Sequence, residues 1–269
     1  MTLAQNDWYT KEIEENMDNP QKLWKSINQV LHKKEASPLP DCSDQTVLAN
    51  DFGNFFKNKI DKIRAAFQLN VDTGEPPSPP PSPPKLQTFR PVTEDEVRKL
   101  ISSSPNKQCM LDPCPTFILK TCIDHLALPI TNIINYSLSE GVFPECFNKA
   151  LVSPLLKKAS LPKNTFSSYR PVSNLNYLSK ILEKVVANQI KLHIDGFGLD
   201  NPFQSAYKSF HSTETALLSV QNDIYVAMGR GNVTALTLLD LSAAFDTIDH
   251  DILLGRLSDL FGIGEVALE

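Results

Sequence analysis

Apolar side chains recur three and four residues apart over most of the chain, and the spacing gives way to continuous runs at two places. Leu23, Trp24, Ile27, Val30 and Leu31 make the first helical stripe, with Asn19-Pro20 as N-cap and first helical position. A polar break containing prolines follows at 37–41. Ser43 or Asp44 then opens a second helix, with Val47, Leu48, Phe52, Phe55, Phe56, Ile60 and Ile63 on one face. Asn58, Lys59, Asp61 and Lys62 take the other face, so the aromatic stripe reads as core packing. Thr93 followed by Glu96 is a capping-box pattern, with Val97, Leu100 and Ile101 behind it. Residues 102–115 read as loop and 117–123 as a short helix. Ile130, Ile133, Ile134 and Leu138 make a longer helix that Gly141 stops.

The texture changes at Ala150–Leu156, a short apolar run closed by Lys157-Lys158 that reads as a strand. Pro154 places it at an edge or a bulge, and Tyr169–Asn174 reads as its hairpin partner. Helical spacing returns with Leu178, Ile181, Leu182, Val185, Val186, Ile190 and Leu192. It appears again over 213–227, with Ala216, Leu217, Val220 and Ile224 on one face. The second continuous run, Val233–Leu239, reads as a buried strand that ends on Asp240. Asp249 caps a last helix carrying Ile252, Leu253, Leu257 and Leu260. The mixture predicts an α/β (α+β) fold.

Composition divides this pattern. Residues 76–84 hold seven prolines in nine positions, which excludes helix and sheet ladders and predicts an extended spacer. The same run has the chemistry of an SH3 or WW ligand. The resulting domains are 1–73 helical, 74–88 linker and 89–269 a second domain. Five cysteines without regular spacing read as free thiols. Cys109, Cys114, Cys122 and His125 lack the close cysteine pair that usually fixes zinc. No apolar run is long enough to span a membrane, and residues 1–19 are polar rather than a signal sequence. The expectation is an intracellular, non-membrane protein, with nuclear and cytoplasmic sites both open.

The net charge of −5 and pI near 5.6 are not those of a global polyanion binder. Their distribution is uneven. Between 149 and 211, nine basic residues oppose three acids; between 212 and 269, two oppose nine. On charge alone, two ordinary solvated surfaces explain this better than a polyanion grip beside a metal site. Asp240 at a strand end is likewise a weak signal alone, since a turn aspartate has the same look.

Order along the chain adds specificity. LLDLSAAFDTIDHDILL (238–254) resembles the first palm motif of reverse transcriptases of non-long-terminal-repeat retrotransposons. YRPVSNLNYLSKILEKVVANQI (169–190) is similar to their fingers motif, and NPFQSAYKSFHSTETALL (201–218) to the next. LDPCPTFILK and INYSLSEGVFPECFNKALVSPLLKK resemble the lead-in to the fingers. ANDFGNFFKNKIDKIR (49–64) resembles the helical connector between endonuclease and polymerase. The resemblance implies the fingers and part of the palm of a right-hand polymerase. It implies an RNA template, a DNA primer, deoxynucleoside triphosphates and Mg²⁺.

The roles it implies fall on particular residues. Asp240 matches the catalytic, metal-binding aspartate, and Leu241 the position whose backbone carbonyl also reaches metal. Ala243 and Ala244 match amides that approach the triphosphate. Phe245 matches the ring that rejects a ribose 2′-OH by clash, although by itself it reads as a core phenylalanine. Arg170 matches a fingers arginine on the triphosphate, and Lys157 or Lys158 a fingers lysine with the same target. Gln204 and Lys208 match template, primer or phosphate contacts. Lys208 stands where relatives carry arginine, after Ala206-Tyr207 rather than Gly-Phe, which weakens that match.

The Ala-Asp-Asp type of motif that brings a second metal carboxylate is absent from these residues, as is a Pro-Gln-Gly motif. The expectation is therefore a fragment of the enzyme, cut after the first palm motif and inactive alone. It would also be poorly soluble, because an incomplete palm exposes an apolar face and a sheet edge. Two other readings stand beside it: a non-catalytic nucleic-acid-binding remnant built on 149–211, and a proline-rich interaction protein.

Overall fold

The structure is a computed structural model. It describes residues 39–68, 83–241 and 243–269, together with Trp8, Thr10, Lys11, Ile13, Glu14, Trp24 and Ile27. The stripe expected at 23–31, apart from Trp24 and Ile27, and the proline spacer, apart from Pro83 and Pro84, lie outside these residues. The chain forms two compact units, residues 1–50 with 154–170 and residues 51–153 with 171–269.

The described elements follow the hydrophobic pattern closely. Helix α1 spans Gln45–Gln68, and Asp44 opens it by accepting from Thr46 N at 2.8 Å. Of its stripe, Phe52 and Phe56 are buried and stack at 5.9 Å. Helix α2 is Glu94–Ser103. Its first turn is closed by the expected reciprocal cap: Glu96 N donates to Thr93 Oγ1 at 3.2 Å and Thr93 N to Glu96 Oε2 at 2.8 Å. Thr93→Ala should cost about 1 kcal/mol, read as a lower urea midpoint with an unchanged slope.

Glu96 also takes a two-pronged hydrogen bond from the Arg90 guanidinium, at 2.5 and 3.1 Å. That partner first, and the Thr93 amide second, hold its carboxyl down at about 2 from an ordinary 4.5. A depressed carboxylate stabilises the fold fully above its unfolded pKa and loses that contribution as pH falls through the folded one. The stability gap between wild type and Glu96→Gln should therefore narrow between about pH 4.5 and pH 2. Arg90 is exposed and Glu96 is still more than a third exposed, so screening keeps the gap small.

Helices α3 (Thr116–Thr121) and α4 (Ile123–Glu140) follow. Gly141 ends α4 with a left-handed φ of 67°, as its position predicts. Strands β1 (Ala150–Leu156) and β2 (Tyr169–Leu175) pair in a two-stranded sheet. Helix α5 covers Tyr177–Phe197. The fold is thus mixed α/β. In the larger unit, α4 packs against α2 and α3, and α2 against α5. Ile101 from α2, Ile134 and Leu138 from α4, and Ile181, Leu182 and Val185 from α5 meet in one buried cluster. Each such side chain gains about 1.5–3 kcal/mol by leaving water.

Helices α6 (Thr213–Gly229) and α7 (His250–Phe261) bury no residue. Asp249 caps α7 as expected, accepting from Ile252 N at 3.1 Å. The expected strand at 233–239 does not form. Its residues make no backbone hydrogen bond among the described residues, and Leu238 and Leu239 are 84% and 90% exposed. An extended segment satisfies its backbone in a sheet only against a neighbouring strand, and no described segment pairs with it. The apolar run thus reports strand character without a partner to realise it.

Among the described residues, no helix is long and apolar enough to cross a membrane.

Candidate nucleotide and nucleic-acid interface

The end of the sheet hairpin that falls in the smaller unit gathers three of the expected cationic residues. Lys157 and Lys158 follow β1, and Arg170 is the second residue of β2. The turn between them is held by its own backbone. Lys157 N donates to Ser168 O at 2.9 Å, and a short 3-10 turn over Phe166–Ser168 leads into β2. Tyr169 is buried beneath, its hydroxyl donating to Lys163 O at 2.9 Å, and burial pushes its phenol pKa up.

All three cations are exposed, but they are not equivalent. The Lys157 ammonium donates to Ser167 O at 2.8 Å. Among the described residues, Lys158 and Arg170 form no ion pair. The alternative left open between the two lysines therefore has a structural difference attached: Lys157 braces the hairpin and Lys158 is available.

The remaining expected residues lie in the larger unit. Gln204 and Lys208 sit in the loop between α5 and α6. Gln204 Nε2 donates to Ala206 O at 3.2 Å. Lys208 pairs with Asp200 at 2.7 Å, and that hydrogen bond lowers the Asp200 pKa. A lysine already neutralised by a carboxylate is a poorer phosphate contact than its position in the motif implies. Tyr207 and Phe210 in this loop carry left-handed φ values of 61° and 63°, which bulky residues seldom adopt. The Tyr207 ring meets Phe245 edge-on at 6.2 Å. Sequence reading found neither contact, because nothing in the local pattern signals a partner across a loop.

Asp240 and Leu241 lie on irregular, exposed backbone. Asp240 therefore does not close a buried strand. Ala243 has φ 55° and begins a turn, its carbonyl accepting from Asp246 N at 3.0 Å and Thr247 N at 3.1 Å. Neither Ala243 N nor Ala244 N donates to described backbone, and Phe245 is 73% exposed. Mg²⁺ takes octahedral oxygen sets built on one or two carboxylates with waters and phosphates. Among the described residues, no three His, Cys, Asp or Glu side chains converge on one point. Asp240 is a single carboxylate, so these residues do not make a magnesium site by themselves. Cys109, one of the cysteines weighed for zinc, is buried, and its thiol donates to Asn174 O at 3.6 Å.

Comparison with known proteins finds similarity over part of the chain. The family model described as reverse transcriptase (RNA-dependent DNA polymerase) matches residues 157–262. The chain is 30% identical over 171 residues to the RNA-directed DNA polymerase from mobile element jockey of Drosophila funebris, covering 63% of this chain and 19% of that protein. It is 31% identical over 175 residues to the jockey polymerase of Drosophila melanogaster, covering 63% and 19%. It is 26% identical over 218 residues to the probable RNA-directed DNA polymerase from transposon BS of Drosophila melanogaster, covering 79% and 23%. The chain thus spans about a fifth of the length of these curated relatives.

Proposed function

We propose that the chain, whose residues 157–262 match the reverse transcriptase (RNA-dependent DNA polymerase) family model, supplies the fingers and the first palm segment of an RNA-directed DNA polymerase from a non-long-terminal-repeat retrotransposon. Residues 1–73 are the connector, 74–88 the linker and 89–269 the polymerase portion. The observation that carries the reading is the continuity of the match, from the hairpin lysines to the glycine after α7.

The roles follow from chemistry. Arg170 and Lys158 grip phosphate oxygens, those of an incoming deoxynucleotide's triphosphate and of the template–primer backbone beside it, which a guanidinium fork and a point charge both suit. Lys157 braces the hairpin that presents them. Ala243 and Ala244 have small side chains and amides that donate to no described backbone, which suits a close approach of phosphate oxygens. Phe245 closes the sugar pocket against a 2′-OH, and Gln204 and Lys208 face template or primer. Asp240 and the Leu241 carbonyl provide oxygens for a divalent metal, which Asp240 alone does not hold. These 269 residues alone therefore bind nucleic acid without polymerising.

The test is equilibrium binding of an RNA-template–DNA-primer duplex at several salt concentrations, beside a primer-extension assay. Binding that weakens linearly in log salt, without extension, is the expected result. No binding at low salt would sink the reading, and extension by this chain would overturn the statement on activity.

A further inference from the structure

A cleft in the larger unit lies between the loop after α2 and the start of α5, and none of the residues assigned above line it. Its volume is about 440 Å³, and Lys107, Lys180 and Lys184 stand around it with Asp112 and Tyr177. Volumes of this order hold small-molecule ligands.

The loop that forms one wall is irregular but fastened at both ends. Asp112 accepts from Cys109 N and from Tyr177 N, each at 2.6 Å. Asn176 Nδ2 donates to Leu111 O at 3.1 Å, and Thr116 Oγ1 to Lys107 O at 2.7 Å. Lys120 reaches the Ser104 carbonyl. Tyr177 is buried and donates to Ile101 O at 3.2 Å, with Ser104 Oγ beside its hydroxyl. The cleft therefore has a fixed shape before any ligand arrives, which removes part of the ordering cost of binding.

Its charge is not balanced internally. Lys180 and Lys184 are one turn apart on α5 and share a face, and Lys107 comes from the opposite wall. Among the described residues, no carboxylate pairs with any of the three. Asp112 is the one acid lining the cleft, and both of its oxygens are already occupied by backbone amides. Three ammonium groups against one carboxylate leave the cleft with a net positive charge. The positive end of the α5 dipole adds to the same field.

We propose that this cleft binds a phosphate-bearing ligand of nucleotide size through Lys107, Lys180 and Lys184, as a site separate from the residues given polymerase roles above. The phosphate takes the three ammonium groups. The apolar wall at Pro105, Leu175 and Ile181 accepts the flat remainder of the ligand. The proposal does not depend on the polymerase reading, since it rests on no residue of the family motifs that was given a role above.

The experiment titrates the chain with ATP and, separately, with a short 5′-phosphorylated oligouridylate at fixed ionic strength. It compares Lys180→Gln/Lys184→Gln with a control of equal charge, Lys59→Gln/Lys62→Gln on α1. The cleft pair should weaken binding at least about tenfold, and the control by no more than about twofold. Loss seen with ATP identifies a free nucleotide; loss confined to the oligouridylate identifies a strand phosphate. Lys107→Gln, on the other wall, should weaken the same probe independently. The proposal is overturned if wild type binds neither probe, or if cleft and control variants lose affinity equally. Arg170→Ala separates the two readings: in that background, with the hairpin contact removed, the loss of ATP binding caused by Lys180→Gln/Lys184→Gln should persist.

Discussion

Gly262→Ala should detach the end of the chain from the larger unit. Gly262 follows α7 with φ 68°, where a side chain is strained whatever the space. Space is missing as well. A β-carbon there would come within 2.1 Å of the Pro84 carbonyl oxygen, a backbone atom with no rotamer to change. Around this point the last residues are stitched to the strand-like segment after the prolines. Leu86 N donates to Gly262 O at 2.9 Å, Gly264 N to Leu86 O at 3.0 Å, and Ala267 N to Gln87 O at 3.0 Å. Leu86 and Ile263 form a parallel bridge, and Ile263 is 1% exposed. His193 Nε2 donates to Phe261 O at 2.8 Å just before it.

Alanine forces the two backbones apart, and the three hydrogen bonds and the buried isoleucine go together. Left-handed strain and the lost packing together amount to roughly 3 kcal/mol or more. Because the segment can peel away alone, the loss is local rather than global. Hydrogen exchange should show the Leu86, Gly264 and Ala267 amides losing protection while the α5 amides keep theirs. Unchanged exchange at Leu86 and Gly264 would show that the close approach to Pro84 is not what holds this segment.

This stitching was not legible from the residues, whereas most helices were, and the reason is the range of the forces. A capping box is decided within four residues, so Thr93 and Glu96 announce α2 unaided, as Asp44 and Asp249 announce α1 and α7. A left-handed stop is a property of one residue, so Gly141 could be read directly. The hairpin was legible because Pro154 and the paired lysines punctuate it. Val233–Leu239 shows the opposite case. Its β character is real as a propensity, but a strand is made by its neighbour, and propensity cannot supply one. The parallel bridge at Leu86 joins residues from opposite ends of the larger unit, and no periodicity encodes that.

The candidate site divides in the same way. Arg170, Lys158 and Asp240 could be singled out because motif order along the chain carries them. What each side chain does locally could not. Lys157 and Lys158 are alike in sequence, yet one donates to Ser167 O and the other is free of described ion pairs. Lys208 looked like a weakened phosphate ligand for lack of a guanidinium fork. Its pairing with Asp200 is a second and separate reason, visible only once the loop is folded. Phe245 read as either gate or core, and its exposure removes the core reading among the described residues.

The largest functional effect is expected from the hairpin cations taken together. Lys157→Gln, Lys158→Gln and Arg170→Ala remove three positive charges from one exposed end of a two-stranded sheet. Each phosphate left without its cation lowers the dependence of log affinity on log salt by nearly one. The triple variant should therefore bind the template–primer duplex with a slope shallower by roughly two to three, and about a hundredfold more weakly at low salt. The single variants should not be equal. Lys157→Gln also removes a brace from the turn, so part of its effect should appear as a lower unfolding midpoint. Lys158→Gln and Arg170→Ala should change binding and leave stability within about 0.5 kcal/mol, as exposed positions do. Fluorescence anisotropy over a salt series, with urea unfolding of each variant, separates these outcomes. A triple variant with the wild-type slope would mean that this end of the hairpin does not touch the backbone of the nucleic acid. The polymerase reading would then lose its fingers contacts, whatever the sequence match.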